Sequence, residues 1–285
     1  MTLLNTIIQG VLLGGLYALY AAGLSLIFGV MRLVNLAHGD FIVLAAYVIL
    51  ALSSALFIPP FFALLIALPF LFALGWAIQR VILNRTVEEN LLVPLLVTFG
   101  LQIIIQNGLL QGFSADSRRL SLGGIETASI SIGGIHLGVM PLLTFGAAIL
   151  VIGGLSALFY MTALGRKLRA TSDSAVYVQI VGINPHKVFA IAMGVAFLVI
   201  AVAAFFMGAR SNFDPSQGPA RLLYAFEVVV IGGLGSLWGT LAGGIILGLA
   251  QGLGAAINPQ YQILAGHLVF LLIILFRPRG LFPRQ

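Results

Sequence analysis

The sequence predicts an all-α polytopic membrane protein, a transmembrane helical bundle of about eight to nine membrane segments with a short cytoplasmic helix. Its 285 residues are 60% hydrophobic and only 8% charged, whereas a soluble domain carries about a quarter charged residues. Long apolar runs follow one another without the period-two alternation that is typical of a membrane β-barrel. We therefore expect a single transmembrane domain over residues 1–285.

Eight apolar runs define the predicted membrane segments, because a span needs roughly 20 apolar residues. They are Leu3–Val30, Phe41–Phe57, Phe61–Leu83, Leu91–Leu110, Val139–Leu164, Val188–Ala209, Leu222–Ile257 and Tyr261–Phe276. Glycines at 232–239 interrupt the seventh run, which predicts either two crossings or one crossing and a re-entrant piece. The N-terminus lacks the features of a cleaved signal peptide, so we expect the first run to be retained as a span.

The basic residues predict the orientation of the chain, since lysine and arginine concentrate on the cytoplasmic side of a membrane protein. With the polar stretch 163–187 inside, ten of the 14 basic residues, Arg284 included, lie inside. The four that remain outside are Arg118, Arg119, Arg210 and Arg221. The predicted N-terminus is therefore outside and the C-terminus cytoplasmic. Topology then accounts for the net charge of +6, and nucleic-acid binding is not indicated.

Two polar stretches are long enough to have structure of their own. Residues 111–138 form the predicted extracytoplasmic loop, in which serine, glycine and alternating isoleucine favour a small extended hairpin. Residues 163–187 lie between two apolar runs, and Leu168–Ile183 predicts one short amphipathic helix that is stopped at Gly182, Asn184 and Pro185. A helix on the inner membrane surface needs a partner to contact, and we expect 163–187 to dock onto a soluble protein.

Polar residues between the first two runs are candidates for a path or gate: Asn35, His38 and Asp40. Ionisable residues near a span are costly and are often functional, so the stretch could be a helix break that lines a polar path. An ordinary cytoplasmic turn, in which Asp40 caps the second span, is an equally good interpretation. One histidine and one aspartate are too few ligands for a metal site.

Three further polar residues inside apolar runs are candidates for the same path: Gln102, Gln106 and Glu227. The two glutamines lie four residues apart on one helix face, where hydrogen bonding between helices is the simpler explanation. Glu227 is either a buried functional carboxylate or a residue of the outer interface near Arg221, and the sequence leaves both open.

Glycines at helical spacing predict close packing between spans. The first run contributes Gly10 and Gly14. The seventh run contributes two rows at intervals of four residues, Gly235, Gly239 and Gly243 in one and Gly244, Gly248 and Gly252 in the other. Two rows on neighbouring faces predict contact with helices on two sides, and a glycine-lined route for a small substrate is the less favoured alternative.

Enzymatic function has little support in the sequence. The chain has no cysteine, no P-loop pattern GxxxxGK[ST], and no clustered histidines or acidic residues within the predicted spans. We therefore expect a transport subunit that binds no cofactor of its own. A stand-alone channel or secondary carrier would need carboxylates within its spans, for which only Glu227 and Asp40 qualify.

Several stretches resemble one family along nearly the whole chain. GVLLGGLYALYAAGLSLIFGVMRLVNLAHGDF, LGRKLRATSDSAVYVQIVGIN and AFEVVVIGGLGSLWGTLAGGIILGLAQ, with the ending RPRGLF, are similar to the LivH-type permeases of branched-chain amino-acid ABC importers. The resemblance implies a bacterial inner-membrane subunit that pairs with a second permease. Two cytoplasmic ATPases, which would bind ATP and magnesium, and a periplasmic binding protein would complete the importer.

The resemblance also implies that 163–187 contacts an ATPase. The predicted coupling residues are Arg166, Lys167, Arg169, Ala170, Asp173, Gly182, Ile183 and Asn184. The stretch TSDSAVYVQIVG departs from the usual family pattern, so that Tyr177 and Gln179 are candidates for adapting the fit to one ATPase. Branched-chain or related neutral amino acids are the expected substrates, with urea, amides or small organic and aromatic acids as the alternative.

Overall fold

The structure is a computed structural model that describes residues 3–86, 92–132 and 135–282. The described part of the chain contains eleven α-helices and a two-stranded antiparallel hairpin. The helices are α1 (Leu3–Met31), α2 (His38–Leu56), α3 (Pro60–Val81), α4 (Leu92–Phe113), α5 (Val139–Met161), α6 (Ala163–Asp173), α7 (Tyr177–Ile180), α8 (Pro185–Arg210), α9 (Gly218–Gly232), α10 (Leu237–Ile257) and α11 (Tyr261–Phe276). Strands β1 (Ser129–Ile132) and β2 (Ile135–Gly138) pair with Ser129 opposite Gly138. The predicted all-α membrane bundle is confirmed.

Among the described residues, seven helices are long and apolar enough to cross a membrane: α1, α2, α3, α4, α5, α8 and α10. The apolar α11 has 16 residues and α9 has 15, so both are shorter than these seven, and the predicted count of eight to nine segments stays a prediction. The predicted interruption of the seventh run is present, because α9 ends at Gly232 and α10 begins at Leu237. Residues 87–91, in the predicted cytoplasmic loop, and Arg284 lie outside the described residues.

Helices α1 and α8 form the centre of the bundle. In each, 83% of the residues in an apolar stretch of 18 residues are buried. Helix α1 packs against α10, α8, α5 and α9, and α8 packs against α3, α1 and α2. Both helices are apolar on every face, which is the pattern of a helix that is surrounded by other helices.

The chain divides its polar elements between the two ends of the bundle. At one end, α6 contacts the last turn of α1, and the chain after α11 returns to α9 with hydrogen bonds from the Leu281 N–H to the Ile231 O (2.9 Å) and from the Phe282 N–H to the Gly232 O (3.1 Å). At the other end, Arg118 and Phe213 exchange two backbone hydrogen bonds and join the loop after α4 to the loop after α8. The stretch 163–187 and residues 281–282 therefore share one side.

Two local expectations are wrong. The single helix predicted over 168–183 is two helices, because α6 begins already at Ala163, ends at Asp173 and is separated from α7 by a bend at 174–176. Gly235 does not continue the glycine row of α10, since it lies in the preceding loop with a φ of 79° and approaches the backbone of Gly29. A left-handed φ is inexpensive only for glycine. The backbone conformation at position 235, rather than packing between helices, therefore explains why a glycine is present there.

Candidate functional site

Helix α6 is fixed firmly to the membrane helices beside it. The Thr162 hydroxyl caps its first turn by accepting from the Gly165 N–H (3.0 Å), as expected of a threonine at this position. Helix α5 passes so close that a Cβ on Gly165 would lie 2.1 Å from the Leu158 O. The Ser172 hydroxyl donates to the Gly29 O in α1 at 2.6 Å. Helix α6 is therefore attached to both α5 and α1.

The predicted coupling residues of α6 divide into two groups. Arg169 is half-buried, donates to the Phe159 O and lies with its guanidinium 5.1 Å from the centre of the Tyr160 ring. It therefore holds α6 onto α5. Arg166, Lys167 and Asp173 are exposed and Ala170 is half-buried, so that these residues form the outer surface of the helix.

Helix α7 forms the most exposed apolar surface of the stretch 163–187. Four apolar side chains within α7 or directly next to it in the sequence have exposed fractions between 69% and 79%: Val176, Tyr177, Ile180 and Val181. Val178, by contrast, is 5% exposed and anchors α7 to the rest of the protein. We call the four exposed residues the coupling tip. Burial of such side chains is favourable, and an exposed apolar cluster on a polar surface is typical of an interaction site.

Gly182, Ile183 and Asn184 shape the chain around the coupling tip. Gly182 has a φ of 77°, and the Ile183 N–H donates to the Val178 O (3.0 Å), so that a left-handed glycine ends α7. Asn184 begins the next helix, because its side chain accepts from the Lys187 N–H (3.2 Å) and Pro185 takes the first position of α8. The expectation that Asn184 and Pro185 stop a helix is wrong, because these two residues begin α8.

The predicted break between the first two spans returns deep into the bundle before α2 begins. His38, the first residue of α2, donates from Nε2 to the Tyr20 O (2.8 Å), well within α1. Phe41 packs on Phe197, at the midpoint of α8, with ring centres 4.7 Å apart. Asn35 is fully buried and its Oδ1 accepts from the Ala37 N–H. Non-helical backbone at this depth is tolerated only inside protein or beside a cavity, which contradicts the interpretation as an ordinary cytoplasmic turn.

Asp40 lies in the first turn of α2 rather than at its cap, which is Ala37. The side chain is 1% exposed, and Oδ1 accepts from the Gln106 Nε2 of α4 at 2.8 Å. The backbone of α9 passes beside it, because a Cβ on Gly39 would lie 1.9 Å from the Gly218 O. Asp40 and Gln106, which are 66 residues apart in the sequence, therefore meet where three helices converge.

Glu227 is a buried residue of α9. Its side chain is 1% exposed and pairs through Oε1 with the Nδ1 of His267 in α11. Arg221 instead donates to the Gln217 Oε1 at 2.6 Å. The placement of Glu227 at an exposed outer interface with Arg221 is therefore wrong, and the partner, His267, was not predicted. Gln102 is half-buried on α4, one turn before Gln106.

The predicted glycine rows contact two different helices. A Cβ on Gly14 or Gly244 would lie 2.5–2.6 Å from the backbone oxygen of the other residue. Gly10 and Gly248 approach each other similarly, and Gly252 lies next to Gly10. Gly239 and Gly243 face α9, at Gly232 and Val228. The two rows of α10 thus pack against α1 and α9, as the sequence predicts for glycine on adjacent helix faces.

A polar cleft of about 510 Å³ lies beside α6 at the end of the bundle that carries the coupling tip. Its walls come from α1, α5, α6 and the loop before α10, with Ser25, Ser156, Arg169 and Ser236 among the polar residues. The serines were not predicted, because isolated serines in apolar runs carry no sequence signal. Among the described residues no cluster of three or more histidine or acidic side chains could hold a metal.

The apolar spans, the glycine-packed core and the buried polar break together define the class of this protein, a polytopic helical membrane protein. Comparison with known proteins gives the family. The family model described as "Branched-chain amino acid transport system / permease component" matches residues 6–276, and the chain belongs to that family.

Two of the similar individual proteins match nearly the full length of the chain. The high-affinity branched-chain amino acid transport system permease protein BraD of Pseudomonas aeruginosa is 28% identical, over 99% of this chain and 96% of its own length. The corresponding LivH of Escherichia coli is 27% identical with the same coverage. The LivM permease protein of Escherichia coli is 25% identical over 42% of this chain and 28% of its own length. No solved structure matches the chain significantly.

Proposed function

We propose that this chain is a permease subunit of an ATP-driven importer that moves branched-chain or related neutral amino acids across the bacterial inner membrane by alternating access. The observation that carries the proposal is the coupling tip, four exposed apolar side chains on an element that is fixed to the core of the bundle. Family membership and the full-length similarity to BraD and LivH support the transport class and the substrate class.

The coupling tip is proposed to dock onto a cytoplasmic ATPase, one of two that complete the importer. ATP and magnesium would be bound by those subunits, since this sequence has no P-loop pattern. The exposed Arg166 and Lys167 beside the tip, and the basic residues Arg80, Arg85 and Lys187 around a nearby cleft, favour a cytoplasmic location for this end. The N-terminus would then be outside and residues 281–282 inside.

The proposed movement runs from the tip into the bundle through rigid contacts. Rotation of α6 would displace Gly29 at the end of α1, to which Ser172 is hydrogen-bonded. The break that begins at Arg32 follows directly and ends beside Tyr20 and Asp40 in the interior. A buried, irregular segment is a natural place for a two-state change, because its few backbone hydrogen bonds can be exchanged at low cost.

The remaining partners are proposed from the family. A second, related permease would complete the pathway, and the similarity to LivM supports a partner of the same family. A periplasmic binding protein would deliver the substrate to the end that carries the β1–β2 hairpin. Its identity would decide between neutral amino acids and the alternative substrates, urea, amides or small organic acids.

The first test is to purify the solubilised chain from its native membrane and to identify the proteins that accompany it by mass spectrometry. Two ATPases and a second permease support the proposal, and a chain that is isolated alone in stable form contradicts it. Tyr177→Ser with Ile180→Ser should remove the ATPases but retain the second permease, because only the tip is altered. Arg118→Gln, an exposed change at the opposite end, serves as the control.

A second test concerns coupling after assembly. Gly182→Pro should reduce uptake at least tenfold in reconstituted vesicles, because proline cannot adopt the positive φ that ends α7. Arg169→Ala should also reduce uptake, because α6 loses its hydrogen bond to α5. Both variants should still insert and purify with the second permease. Normal uptake by both would contradict the coupling role.

A secondary carrier is the competing function, and the buried carboxylates Asp40 and Glu227 are the observation that favours it. A carrier would transport in vesicles that contain this chain alone, driven by a proton gradient. Its uptake would be abolished by Asp40→Asn or Glu227→Gln. In the importer, uptake requires ATP and both ATPases.

A further inference from the structure

Two arginines lie near a group of tyrosines on the side of the bundle away from the coupling tip. Arg210 is the last residue of α8, and Arg221 lies near the start of α9. The Arg221 guanidinium lies 5.9 Å from the centre of the Tyr20 ring, and Arg210 is within electrostatic range of Tyr17 and Tyr20. Tyr224 stacks near Tyr17, with ring centres 5.0 Å apart. We call these five residues the arginine–tyrosine cluster.

The cluster presents hydrogen-bond donors that have no acceptor among the described residues. These are Nη1 of Arg210, Nε of Arg221 and the hydroxyl of Tyr20, all of them buried atoms. Tyr20 is only 1% exposed. The Tyr17 hydroxyl, by contrast, donates to the Gln251 Oε1 at 2.6 Å. Buried donors without an acceptor are costly, and three of them within one cluster indicate a site for an acceptor group.

The charge of the cluster is not neutralised by a neighbouring carboxylate. The ion pairs among the described residues, Arg118–Asp116 and His267–Glu227, include neither arginine. Asp214 interacts electrostatically with Arg221 but forms no direct ion pair with it, and one carboxylate cannot balance two guanidinium groups. The cluster therefore keeps a net positive charge within a partly buried environment.

Lipid headgroups are a less suitable acceptor. Long basic side chains that reach for a headgroup leave their charged end exposed, as Arg118 does with 46% of its side chain accessible. Arg221 instead lies over the face of a buried tyrosine, towards the interior of the bundle. A small anion that enters from the outer side fits this direction.

We propose that the arginine–tyrosine cluster binds the carboxylate of the amino-acid substrate as it enters the permease from the outer side. This inference rests on the proposed function and specifies where the transported molecule is first held. Guanidinium groups bind carboxylates through paired hydrogen bonds, and the Tyr20 hydroxyl supplies a further donor. The rings of Tyr17 and Tyr224 provide an apolar wall for an aliphatic side chain.

The absence of cysteine from the chain allows a direct test. Leu13 lies one turn before Tyr17 on the same face of α1, and Leu13→Cys introduces a single thiol next to the cluster. We would compare its reaction rates with an anionic and a cationic methanethiosulfonate, relative to a free thiol, in the assembled complex. The cluster should favour the anionic reagent by about tenfold, because a positively charged cleft concentrates anions. Arg210→Gln with Arg221→Gln should abolish this preference, whereas Arg118→Gln should not.

Protection by ligands tests whether the carboxylate is recognised. Leucine should slow the modification of Cys at position 13, and leucinol, which lacks the carboxylate, should not. Equal protection by both, no protection by leucine, or an unchanged reagent preference in the double variant would each overturn the proposal. Arg210→Lys should retain the anionic preference but weaken protection by leucine, because lysine keeps the charge and loses the paired donors.

Transport assays separate this proposal from the proposed function. In vesicles with the complete importer, Arg210→Gln and Tyr20→Phe should lower uptake several-fold, while ATP hydrolysis that is stimulated by the loaded binding protein remains. Normal uptake by the double variant Arg210→Gln with Arg221→Gln would contradict carboxylate binding by the cluster, and it would leave the proposed function unaffected. If the unmodified complex neither assembles nor hydrolyses ATP, it is the proposed function that fails.

Discussion

Helices α1 and α4 are similar in hydropathy and opposite in environment. Their mean hydropathies are 2.0 and 1.7. In an apolar stretch of 18 residues, however, 83% of the residues are buried in α1 and only 17% in α4. Both contain glycines at a spacing of four residues. A Cβ on Gly14 of α1 would lie 2.6 Å from the Gly244 O, whereas the space around Gly108 and Gly112 of α4 is open to at least 4 Å. The spacing of glycines alone does not decide which helix is packed.

The two helices are also held by different forces. Helix α1 is held by direct backbone contact with α10, where glycine permits close approach and extensive dispersion contacts. Helix α4 forms side-chain hydrogen bonds to the break before α2 and to the first turn of α2. The Leu36 N–H donates to the Thr98 hydroxyl (3.2 Å), and Gln106 donates to Asp40 (2.8 Å). An element attached by few polar contacts is easier to move than one packed through its backbone.

The largest expected effect is at the contact between α1 and α10. Gly14→Leu should prevent stable folding, because the side chain would have to enter the backbone of α10. Gly14→Ala should already lower the free energy of unfolding by about 1–3 kcal/mol through overpacking. Unfolding in mixed detergent micelles measures both effects. Gly108→Leu is the matched control, and a loss of stability as large as that of Gly14→Leu would remove the distinction between the two helices.

The next effect concerns the link between α4 and the first turn of α2. Gln106→Leu should cost about 1.5–3 kcal/mol, because a buried carboxylate loses its hydrogen-bond donor. Gln102→Leu, one turn earlier on the same helix, is the control. A double-mutant cycle with Asp40→Asn measures the coupling energy. A cycle that is additive within experimental error would mean that α4 is held by packing instead.

A smaller effect is expected at the second polar contact of α4. Thr98→Val keeps the shape of this fully buried side chain and removes the acceptor for the Leu36 N–H. The loss should be about 1 kcal/mol, the usual net value of one neutral hydrogen bond. Hydrogen exchange of the Leu36 amide should accelerate in the variant. An unchanged exchange rate would show that this contact does not hold the break.

The smallest effect has the opposite sign. Gly108→Ala and Gly112→Ala should raise the free energy of unfolding by up to about 1 kcal/mol, because alanine is the better helix former and nothing crowds the new methyl group. Gly248→Ala on α10 is the matched comparison and should destabilise, since its Cβ would lie 2.3 Å from the Gly10 O. A loss of stability in both α4 variants would indicate that this face is packed after all.

The sequence by itself determined the membrane class, the positions of most spans and the interruption at 232–239. Long apolar runs can be stable only as helices in a membrane, where backbone groups must bond within the segment. It also predicted the polar stretch 163–187 as the surface for a partner, since basic residues and an amphipathic pattern are local properties. The two-helix form of 163–187 escaped prediction because the bend at 174–176 falls within a continuous amphipathic pattern.

Only the tertiary structure decided which polar residues meet. Glu227 pairs with His267 across 40 residues, and Asp40 pairs with Gln106 across 66. It also showed that the break before α2 returns to the interior, and that Arg210 and Arg221 lie near the same tyrosines. Such contacts depend on how helices are arranged around one another, and that arrangement follows from close packing over the whole bundle. A local pattern of residues records that a side chain is polar, while its partner is set by distant parts of the chain.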